Sequence, residues 1–441
     1  MNYQQAWEFL DQLQFFKIKL GLDSMNQFLE RLNNPHHDLN CIHIGGTNGK
    51  GSVGASLCSI LTAAGYKTGF YTSPHLSSVR ERFRIGNTYI SKEDFARLIS
   101  TIHTVLDGGQ ITYFECTTTL AMLWFAEQEV DFAILEVGMG GRLDATNVIT
   151  PLLSIITNVS MDHEQYLGTT LAEVATEKAG IIKKNIPVVS GGVRSESCKI
   201  IRKVADMRQA PTYIFGRDFV GGAENVENSR WKYHGIDEQI FHNLPMSMKG
   251  DYQIGNASMA LAAVQLLIMQ GYTISEEQIR IGLTQTRWPG RLEHFRLNNT
   301  GQRIDTATEG LNFLLDGAHN PAGVTALTHA LTNEFPRNKL ILIWGAMNDK
   351  DLRTTLREIA PLADTIIFTR QKSERSARTS QLKGVLSSVM HHKVICTESV
   401  QAAINQAQAL ADGTDLICIA GSLYLVGAAR QLLLGELVTD E

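Results

Sequence analysis

Short apolar runs and longer stretches with helical spacing alternate through the first half of the chain. Residues 41–44 form an apolar run that leads into several glycines, and the next segment repeats apolar residues at helical spacing as far as Gly65. Further apolar runs occur at 66–72, 131–137 and 152–159. Helical segments are predicted between them, one of them from about 117 to 128. Strand, crossover helix and strand in succession predict a mostly parallel sheet covered by helices on both faces.

The second half begins differently and then returns to the same rhythm. Residues 217–250 are polar and irregular, which predicts short strands and loops, and 253–271 is apolar enough for a long, mostly buried helix. The segment Trp288-Pro-Gly-Arg291 predicts a joint, because proline fixes one backbone torsion and glycine frees the next. Two α/β domains follow from this pattern, over residues 1–287 and 288–441. Strands of the second domain are predicted near 312–316, 340–345, 364–369, 393–397 and 415–420.

Composition narrows the class of protein only a little. The chain is 44% hydrophobic and 19% charged, and its net charge of -5 argues against a general nucleic-acid binder. The N-terminus lacks the basic start and clean apolar run of a signal peptide, and no uninterrupted apolar stretch is long enough for a bilayer. Six scattered cysteines without a C-x-x-C pair fit reduced thiols. We expect a cytoplasmic monomer with neither a nucleic-acid nor a membrane partner.

The segment CIHIGGTNGKGS, residues 41–52, is similar to a phosphate-binding loop without matching it fully. In the usual G-x-x-x-x-G-K-[ST] pattern, the first glycine would stand at Ile44, and Ser52 would follow Lys50 directly, whereas Gly51 separates them here. A strand, glycines and a helix aim backbone N–H groups at a phosphate. Lys50 would offer a charge to the outer phosphates and Ser52 a hydroxyl to Mg²⁺. Taken alone, the loop is equally compatible with a glycine-rich turn that carries a surface lysine.

Longer motifs elsewhere in the chain favour the nucleotide-binding interpretation. They are TSPHL (72–76), ERFRI (81–85), TYFE (112–115), LEVGMGGRLDATN (135–147), MDH (161–163), EKAGIIK (177–183), WPGRLE (288–293), DGAHNPAG (316–323) and GSLYLVG (421–427). In order and approximate spacing, the chain resembles the folylpolyglutamate synthase and dihydrofolate synthase family, ATP-dependent amide ligases similar to the Mur ligases. The resemblance runs from residue 21 nearly to the C-terminus. It implies a P-loop-type, mostly parallel-sheet ATPase domain followed by a C-terminal Rossmann-like α/β domain.

The reaction implied by this resemblance joins a carboxylate to an amine. ATP would phosphorylate the carboxylate of dihydropteroate or a reduced folate, and L-glutamate would attack the acyl phosphate, with release of ADP and phosphate. Charge accumulates on the transferring phosphoryl group, so Mg²⁺ and fixed cations should dominate catalysis. The residues implied as catalytic are Lys50, Lys178, Arg291 and His319.

At the ATP site, single residues have implied roles that their chemistry supports. Asn256 would read adenine, because an amide donates and accepts hydrogen bonds at once. Arg291 would reach the phosphates across the two domains, where a planar guanidinium outperforms an ammonium group. Asp316 would bind the ribose, and His319 would lie near the phosphates. The implied ATP-binding set is Thr47, Asn48, Gly49, Lys50, Gly51, Ser52, Asn256, Arg291 and Asp316.

A magnesium site is predicted around Glu136. This residue ends an apolar run, so it should lie at the carboxyl end of a strand, where open α/β sheets keep their sites, and a carboxylate suits Mg²⁺. The resemblance adds Ser52, Ser73 and His163 as metal ligands, although imidazole is an unusual partner for Mg²⁺. It also implies that Lys178 is modified to a carbamate, an anionic oxygen group beside the metal.

The acceptor pocket is implied by three separate segments. Phe114 could stack on a flat heterocycle, but it could equally be an ordinary core aromatic. The residues implied to border the pterin are Gly21, Leu22, Thr112, Tyr113, Phe114, Leu143, Asp144 and Ala145.

Three other classes of function were weighed against a folate ligase. A cell-wall precursor ligase would share the architecture, but TYFE and GRLDATN are folate-type motifs. An NAD-linked oxidoreductase is disfavoured because the glycines at 138–141 do not complete a G-x-G-x-x-G fingerprint. A non-catalytic nucleotide-binding protein is disfavoured by the joint presence of the candidate catalytic and metal-binding residues.

Overall fold

The structure is a computed structural model, and it describes most of the 441-residue chain. The described residues are 1–13, 21–162, 164–192, 195–225, 230–304, 309–371, 373, 375–435 and 438. Through residue 214 the helices and strands are α1 (Tyr3–Gln12), α2 (Asp23–Arg31), β1 (Cys41–Gly45), α3 (Lys50–Ala63), β2 (Thr68–Tyr71), β3 (Phe83–Ile85), β4 (Thr88–Tyr89), α4 (Lys92–Leu106), α5 (Tyr113–Glu127), β5 (Phe132–Glu136), β6 (Leu153–Ile156), α6 (Glu164–Leu167), α7 (Leu171–Ala179), β7 (Val188–Ser190), α8 (Ser195–Met207) and β8 (Thr212–Ile214).

These strands form one eight-stranded sheet in the order β4-β3-β2-β5-β1-β6-β7-β8. Neighbouring strands are parallel from β2 to β8, and only β3 and β4 are antiparallel additions at one edge. All five residues of β1 are buried, and β1 lies between β5 and β6. The glycine loop and Glu136 therefore leave the carboxyl ends of two adjacent central strands, which is where ligands bind in such sheets.

Three antiparallel strands and two helices follow, where the sequence predicted short strands and loops and then a long helix. They are β9 (Val220–Asn225), β10 (Arg230–His234), β11 (Ile240–Pro245), α9 (Tyr252–Met269) and α10 (Glu276–Gln285). Side chains of β10 and β11 share a core with α9 and α3. Within the described part of the chain, α9 is the one helix long and apolar enough to cross a bilayer, and 72% of it is buried inside the fold, as is typical of a core helix.

The remaining strands form a second, seven-stranded sheet in the order β13-β12-β14-β18-β15-β16-β17. Its elements are β12 (Glu293–Leu297), β13 (Arg303–Ile304), β14 (Leu311–Leu315), α11 (Pro321–Asn333), β15 (Leu340–Trp344), α12 (Leu352–Ile359), β16 (Thr365–Phe368), α13 (Thr379–Val385), β17 (Val394–Cys396), α14 (Val400–Leu410), β18 (Leu416–Ala420) and α15 (Leu423–Leu434). Strands β14 to β17 pair in parallel, and separate apolar clusters cover the two faces of the sheet. The predicted fold class, two α/β units with mostly parallel sheets, is confirmed.

Several short strands, among them β3, β4, β7, β8 and β13, were not predicted from sequence, and two further differences have a clear local reason. Helix α5 begins at Tyr113 rather than near residue 117, because Thr112 and Glu115 form a capping box at its start. Strand β12 was not predicted. It pairs antiparallel with β14, so that Glu293 lies opposite Leu315, and its alternation of charged and apolar residues is weak.

Candidate active site

The glycine loop joins β1 to α3 in a conformation that requires glycine at two positions. Gly46 has φ +136°, and a Cβ there would lie 2.0 Å from Thr157 Oγ1. Gly49 has φ +88°, and a Cβ there would lie 2.5 Å from Asn256 Oδ1. A side chain at either position would be strained and would also clash. The absence of side chains at these glycines therefore lets the loop backbone lie close to Thr157 and to Asn256 of α9, just before the first turn of α3.

Thr47 and Asn48 are held by the segment that follows β6. Thr47 Oγ1 donates to Ser160 O at 3.1 Å and accepts from Ser160 N at 3.0 Å. The Asn48 N–H donates to Asn158 Oδ1 at 2.9 Å. These bonds fix the loop backbone ahead of α3, whose N-terminal N–H groups have no partner inside the helix. Ser52 lies in this first turn and is buried.

Lys50 pairs with the buried Glu136 at the ends of the two central strands. Lys50 Nζ lies 3.8 Å from Glu136 Oε1 and donates to the carbonyls of Gly46 and Thr47 at 3.2 and 3.3 Å. The Glu136 carboxylate accepts from Ser73 N at 3.3 Å and from the hydroxyl of Thr72. Burial raises the pKa of Glu136, and the Lys50 charge and these hydrogen bonds oppose that rise.

Lys178 is a buried lysine on α7, with only 3% of its surface exposed. Burial is the main reason that its pKa falls from 10.5 to about 7, and repulsion by Lys50 adds to the fall, while Asp162 and Asp144 oppose it. Lys50, Asp162 and Asp144 are therefore close enough to Lys178 for their charges to act on it. His163, the other ligand expected near this lysine, lies outside the described residues.

Trp288 and Arg291 of the joint contact opposite sides of the site. A Cβ on Gly51 would lie 2.5 Å from the Trp288 ring, so the indole packs directly on the first turn after the glycine loop. A Cβ on Gly317 would lie 2.1 Å from Arg291 Nη1, so the guanidinium packs against the turn after β14. The joint thus connects the loop of the first sheet to the loop of the second.

Asp316 is buried directly after β14 and is hydrogen-bonded to the segment that follows the joint. Its carboxylate accepts from Leu292 N at 2.8 Å and from Ala318 N at 2.9 Å. Burial raises its pKa, and the nearby charge of Arg291 opposes the rise. Two backbone donors therefore hold this carboxylate in place.

His319 has a defined tautomer. Its Nδ1 lies 2.7 Å from Gly317 O, and because a carbonyl oxygen only accepts, Nδ1 carries the proton. Burial and the charge of Lys350 lower its pKa to about 4, so the ring is neutral at neutral pH. Nε2 is consequently left as a hydrogen-bond acceptor, on a residue that lines the large cavity described below.

Two polar links between the halves of the chain were not predicted. Asn48 and Asn320 exchange side-chain hydrogen bonds at 3.3 and 3.1 Å, while Asn320 also caps α11. Lys350 Nζ lies 3.0 Å from Asp162 Oδ1, and their side chains are only 14% and 12% exposed. Asn320 lies within the DGAHNPAG motif, but the motif does not reveal its partner, and Lys350 lies in none of the motifs.

A cavity of about 500 Å³ lies between the two halves. Seven of the eight residues predicted to border the acceptor line it, together with Ser73, whose backbone N–H also reaches Glu136. Leu22, the eighth, is at the start of α2 and is not part of the lining. From the second half the lining residues are His319, Met347, Asp349, Lys350, Arg375, Gly421, Ser422, Leu423 and Tyr424.

The wall of this cavity is preformed by local structure. Thr112 caps α5 and so presents Tyr113 and Phe114 at the first turn. Phe114 packs against Gly138, where a Cβ would lie 2.5 Å from the ring. The Arg82 guanidinium lies 5.2 Å from the centre of the Tyr113 ring, within cation–π range. Arg82 and Tyr113 therefore supply a charged and an aromatic surface that the sequence motifs alone did not connect.

Comparisons with known proteins agree with this geometry. Residues 44–264 match the family described as "Mur ligase middle domain", and residues 301–423 match "Mur ligase, glutamate ligase domain". The fold and the site thus define an ATP-dependent carboxylate–amine ligase of the Mur type.

Full-length relatives narrow the class. The chain is 32% identical to the dihydrofolate synthase/folylpolyglutamate synthase of Bacillus subtilis, over 98% of this chain and 99% of that protein. It superposes on the Mycobacterium tuberculosis folylpolyglutamate synthase complexed with ADP with a TM-score of 0.89, at 29% identity and 98% coverage of both chains. For Escherichia coli FolC in complex with DHPP and ADP, the TM-score is 0.87, with 27% identity over 98% of this chain and 97% of that one. The chain belongs to the folylpolyglutamate synthase and dihydrofolate synthase family.

Proposed function

We propose that this ligase adds L-glutamate to both dihydropteroate and reduced folates. The observation that carries the proposal is the cavity of about 500 Å³, since residues of the folate-type motifs line one side of it and residues of the glutamate ligase domain line the other. The aromatic and apolar wall around Phe114 suits a flat heterocycle, and Lys350 and Arg375 suit carboxylates. An acceptor and an amino acid can therefore meet within one enclosed space.

The nucleotide would lie on the loop before α3. Its outer phosphates would face the N–H groups of that first turn, and Lys50 would exchange its two carbonyl contacts for phosphate oxygens. Asn256, packed against Gly49, would bind the adenine, and Arg291 would contact the phosphates from the joint. Asp316 would accept from the ribose. Arg291 and Asp316 both lie where the second half of the chain meets the first.

The residues present fit a magnesium ion. Among the described residues no three His, Cys, Asp or Glu side chains cluster as a complete metal site, but Mg²⁺ is usually held by one or two carboxylates together with substrate phosphates and water. The buried Glu136 carboxylate, with Ser73 beside it and Ser52 at the start of α3, is such a partial site. We propose Ser52, Ser73, Glu136 and His163 as the ligands. The ion would offset charge on the transferring phosphoryl group.

The proposed reaction has two chemical steps. The acceptor carboxylate attacks the terminal phosphorus of ATP, so that an acyl phosphate forms and ADP leaves. The amine of L-glutamate then attacks the acyl carbon, the C–O bond to phosphate breaks, and the amine loses a proton as the amide forms. His319 Nε2, a free acceptor on the cavity wall, can accept a hydrogen bond from the incoming amine.

Lys178 supports a further proposal about the same centre. A buried ammonium would repel a magnesium ion, whereas the neutral amine favoured by its low pKa can add carbon dioxide. The product is a carbamate and a proton. It converts a cation into an anionic oxygen ligand near Glu136.

The test of the function measures ADP release with ATP, L-glutamate and one acceptor at a time. We expect turnover with dihydropteroate and with a tetrahydrofolate, and mass spectrometry should show one added glutamyl residue in each product. Omission of glutamate and replacement by D-glutamate are the controls. Turnover with tetrahydrofolates but none with dihydropteroate would remove the synthase activity from the proposal. No turnover with either would refute it.

We also propose the organisation of the enzyme. The division into domains 1–287 and 288–441 is supported by the two matched families and by the two separate large sheets. We propose a cytoplasmic monomer that has neither a nucleic-acid nor a membrane partner. The net charge of -5 supports the absence of a general nucleic-acid partner. Light scattering coupled to size-exclusion chromatography would test the monomer, and a dimer mass would refute it.

A further inference from the structure

A buried histidine lies behind the acceptor pocket, in a place that the reaction scheme above does not use. His43 is in the middle of β1, and its side chain is completely buried. Its Nε2 lies 2.8 Å from the hydroxyl of Thr146, which is also completely buried. The same hydroxyl lies 2.5 Å from Asp144 Oδ1. The three side chains therefore form a continuous chain of hydrogen bonds from the centre of the sheet to the cavity, which Asp144 lines.

The direction of these hydrogen bonds follows from proton counting. The Thr146 hydroxyl has one proton, and an ionised carboxylate can only accept, so the hydroxyl donates to Asp144 and must accept from His43. His43 then carries its proton on Nε2. Burial and the charge of Lys183 lower the pKa of His43 to about 3, so the ring is neutral and has a single N–H. This tautomer leaves Nδ1 as a bare acceptor, which agrees with the absence of any hydrogen-bond partner for Nδ1 among the described residues.

The other bonds of Asp144 point the same way. Its Oδ2 accepts from Met139 N at 2.9 Å, and its Oδ1 accepts from Thr146 N at 3.1 Å. Both oxygens of this carboxylate thus accept from donors, although burial raises its pKa. A hydrogen-bonded network in a dry environment fixes orientation strongly, and each bond polarises the next.

We propose that His43 and Thr146 are positioning residues, which hold the Asp144 carboxylate as an acceptor-only wall facing a ligand that carries N–H donors. The proposal rests on the proposed function, because the edge of a pterin ring, with its amino group and ring N–H, is the ligand of that chemistry. His43 acts through Thr146 and is not itself among the residues that line the cavity. Recognition of the acceptor ring is thereby tied to the strand that also leads into the phosphate loop.

Thr146→Val and Thr146→Ser test the relay in kinetics. Valine keeps the volume and removes the hydroxyl, so we expect the KM for the pteridine acceptor to rise about 10-fold, the scale of a lost hydrogen bond to a charged group, while the KM values for ATP and glutamate stay the same. Serine keeps the hydroxyl and should restore the acceptor KM. Thr355→Val is the matched control, because Thr355 is also buried but donates to the carbonyl of Asp351, the residue that caps the start of α12.

His43→Gln and His43→Met test the donor. The glutamine amide can still donate to Thr146, whereas methionine cannot, so only methionine should raise the acceptor KM. Because both His43→Met and Thr146→Val break one relay, the double variant should be little worse than either single variant. Additive effects, or an unchanged acceptor KM in Thr146→Val, would overturn the proposal.

The tautomer can be measured on the unaltered enzyme, which guards against variants that fold poorly. Nitrogen-15 NMR of labelled histidine should show His43 protonated at Nε2, with the signal assigned by its loss in His43→Gln. Protonation at Nδ1 would refute the relay even if every variant were inactive. If the unaltered enzyme turned over no pteridine at all, the proposed function would fail, whereas the tautomer would still decide whether the hydrogen-bond chain exists.

Discussion

Replacing Lys178 with alanine is the perturbation with the clearest expected result. This lysine is 3% exposed, and its pKa is about 7 instead of 10.5. At pH 7 the neutral fraction therefore rises from about one in 3,000 to about one half, a gain of order 10³. Only the neutral amine adds carbon dioxide, so burial supplies the condition for a carbamate. The same reasoning predicts that the modified fraction falls as the pH drops below about 7.

The size of the effect follows from what the carbamate would do. It would place an anionic oxygen near a site where Lys50 and Glu136 already lie 3.8 Å apart. Loss of one stabiliser of transition-state charge typically costs 10²- to 10³-fold in kcat. We expect Lys178→Ala to lose about 100-fold or more, and acetate, which supplies a carboxylate without the lysine stem, to restore about 10-fold of it. Lys178→Arg should stay inactive, because a guanidinium does not form a carbamate.

Two measurements check this prediction independently. Steady-state ADP release gives the loss and the rescue, and carbon-13 NMR of the unaltered enzyme in labelled bicarbonate should show a carbamate signal that Lys178→Ala lacks. Lys184→Ala, which removes an exposed lysine from the same segment, should keep its activity and ignore acetate. A fully active Lys178→Ala or Lys178→Arg enzyme without additives would show that the carbamate is not needed.

Two further predictions concern contacts between the halves of the chain. Arg291→Ala should lower kcat by about 100-fold, because its guanidinium packs against the turn after β14 and is proposed to contact the phosphates. Arg287→Ala, which removes an exposed arginine, should change kcat little. A wild-type kcat for Arg291→Ala in the ADP-release assay would contradict the cross-domain role. Lys350→Met should lower kcat/KM by about 10-fold, since truncating one member of a largely desolvated ion pair leaves the charge of Asp162 poorly compensated. The double variant Lys350→Met with Asp162→Asn should lose less activity than the sum of the two single losses. Additive losses would show that the pair does not act as a unit.

Much of the first sheet could be predicted from sequence because its signals are local. β1, β5 and β6 are short, mostly apolar runs whose residues are all buried, and the capping boxes at Thr112 and Thr170 mark helix starts within four residues. The box at Thr112 was nevertheless overlooked, so the start of α5 was placed too late. Strand β12 was not predicted for a different reason. It pairs antiparallel with β14 near the edge of the sheet, and neither the length nor the periodicity of its five mixed residues distinguishes them from a loop.

Residues of the site were predictable where a motif carried them, whereas the pairings between distant residues were not. Phe114 and Asp144 lie in long motifs, and the structure places both on the cavity wall. Asn320 and Lys350 act through partners more than 180 residues away, Asn48 and Asp162 respectively, and nothing local encodes those pairings. Long-range polar contacts depend on the packing of two whole sheets, which a single sequence does not reveal.

The positions of these long-range contacts suggest why the enzyme uses two sheets. Lys50 and Glu136, the charged residues proposed to act in the reaction, stand at the carboxyl ends of the first sheet, while His319 follows β14 of the second. The Asn48–Asn320 pair joins the phosphate loop directly to the cap of α11, one residue from His319. A change in the conformation of the glycine loop would thus shift Asn320 and, beside it, His319 on the cavity wall. An acyl phosphate hydrolyses if water reaches it. If the two halves closed only when a nucleotide occupied the glycine loop, the site would exclude water only when the acyl phosphate can form.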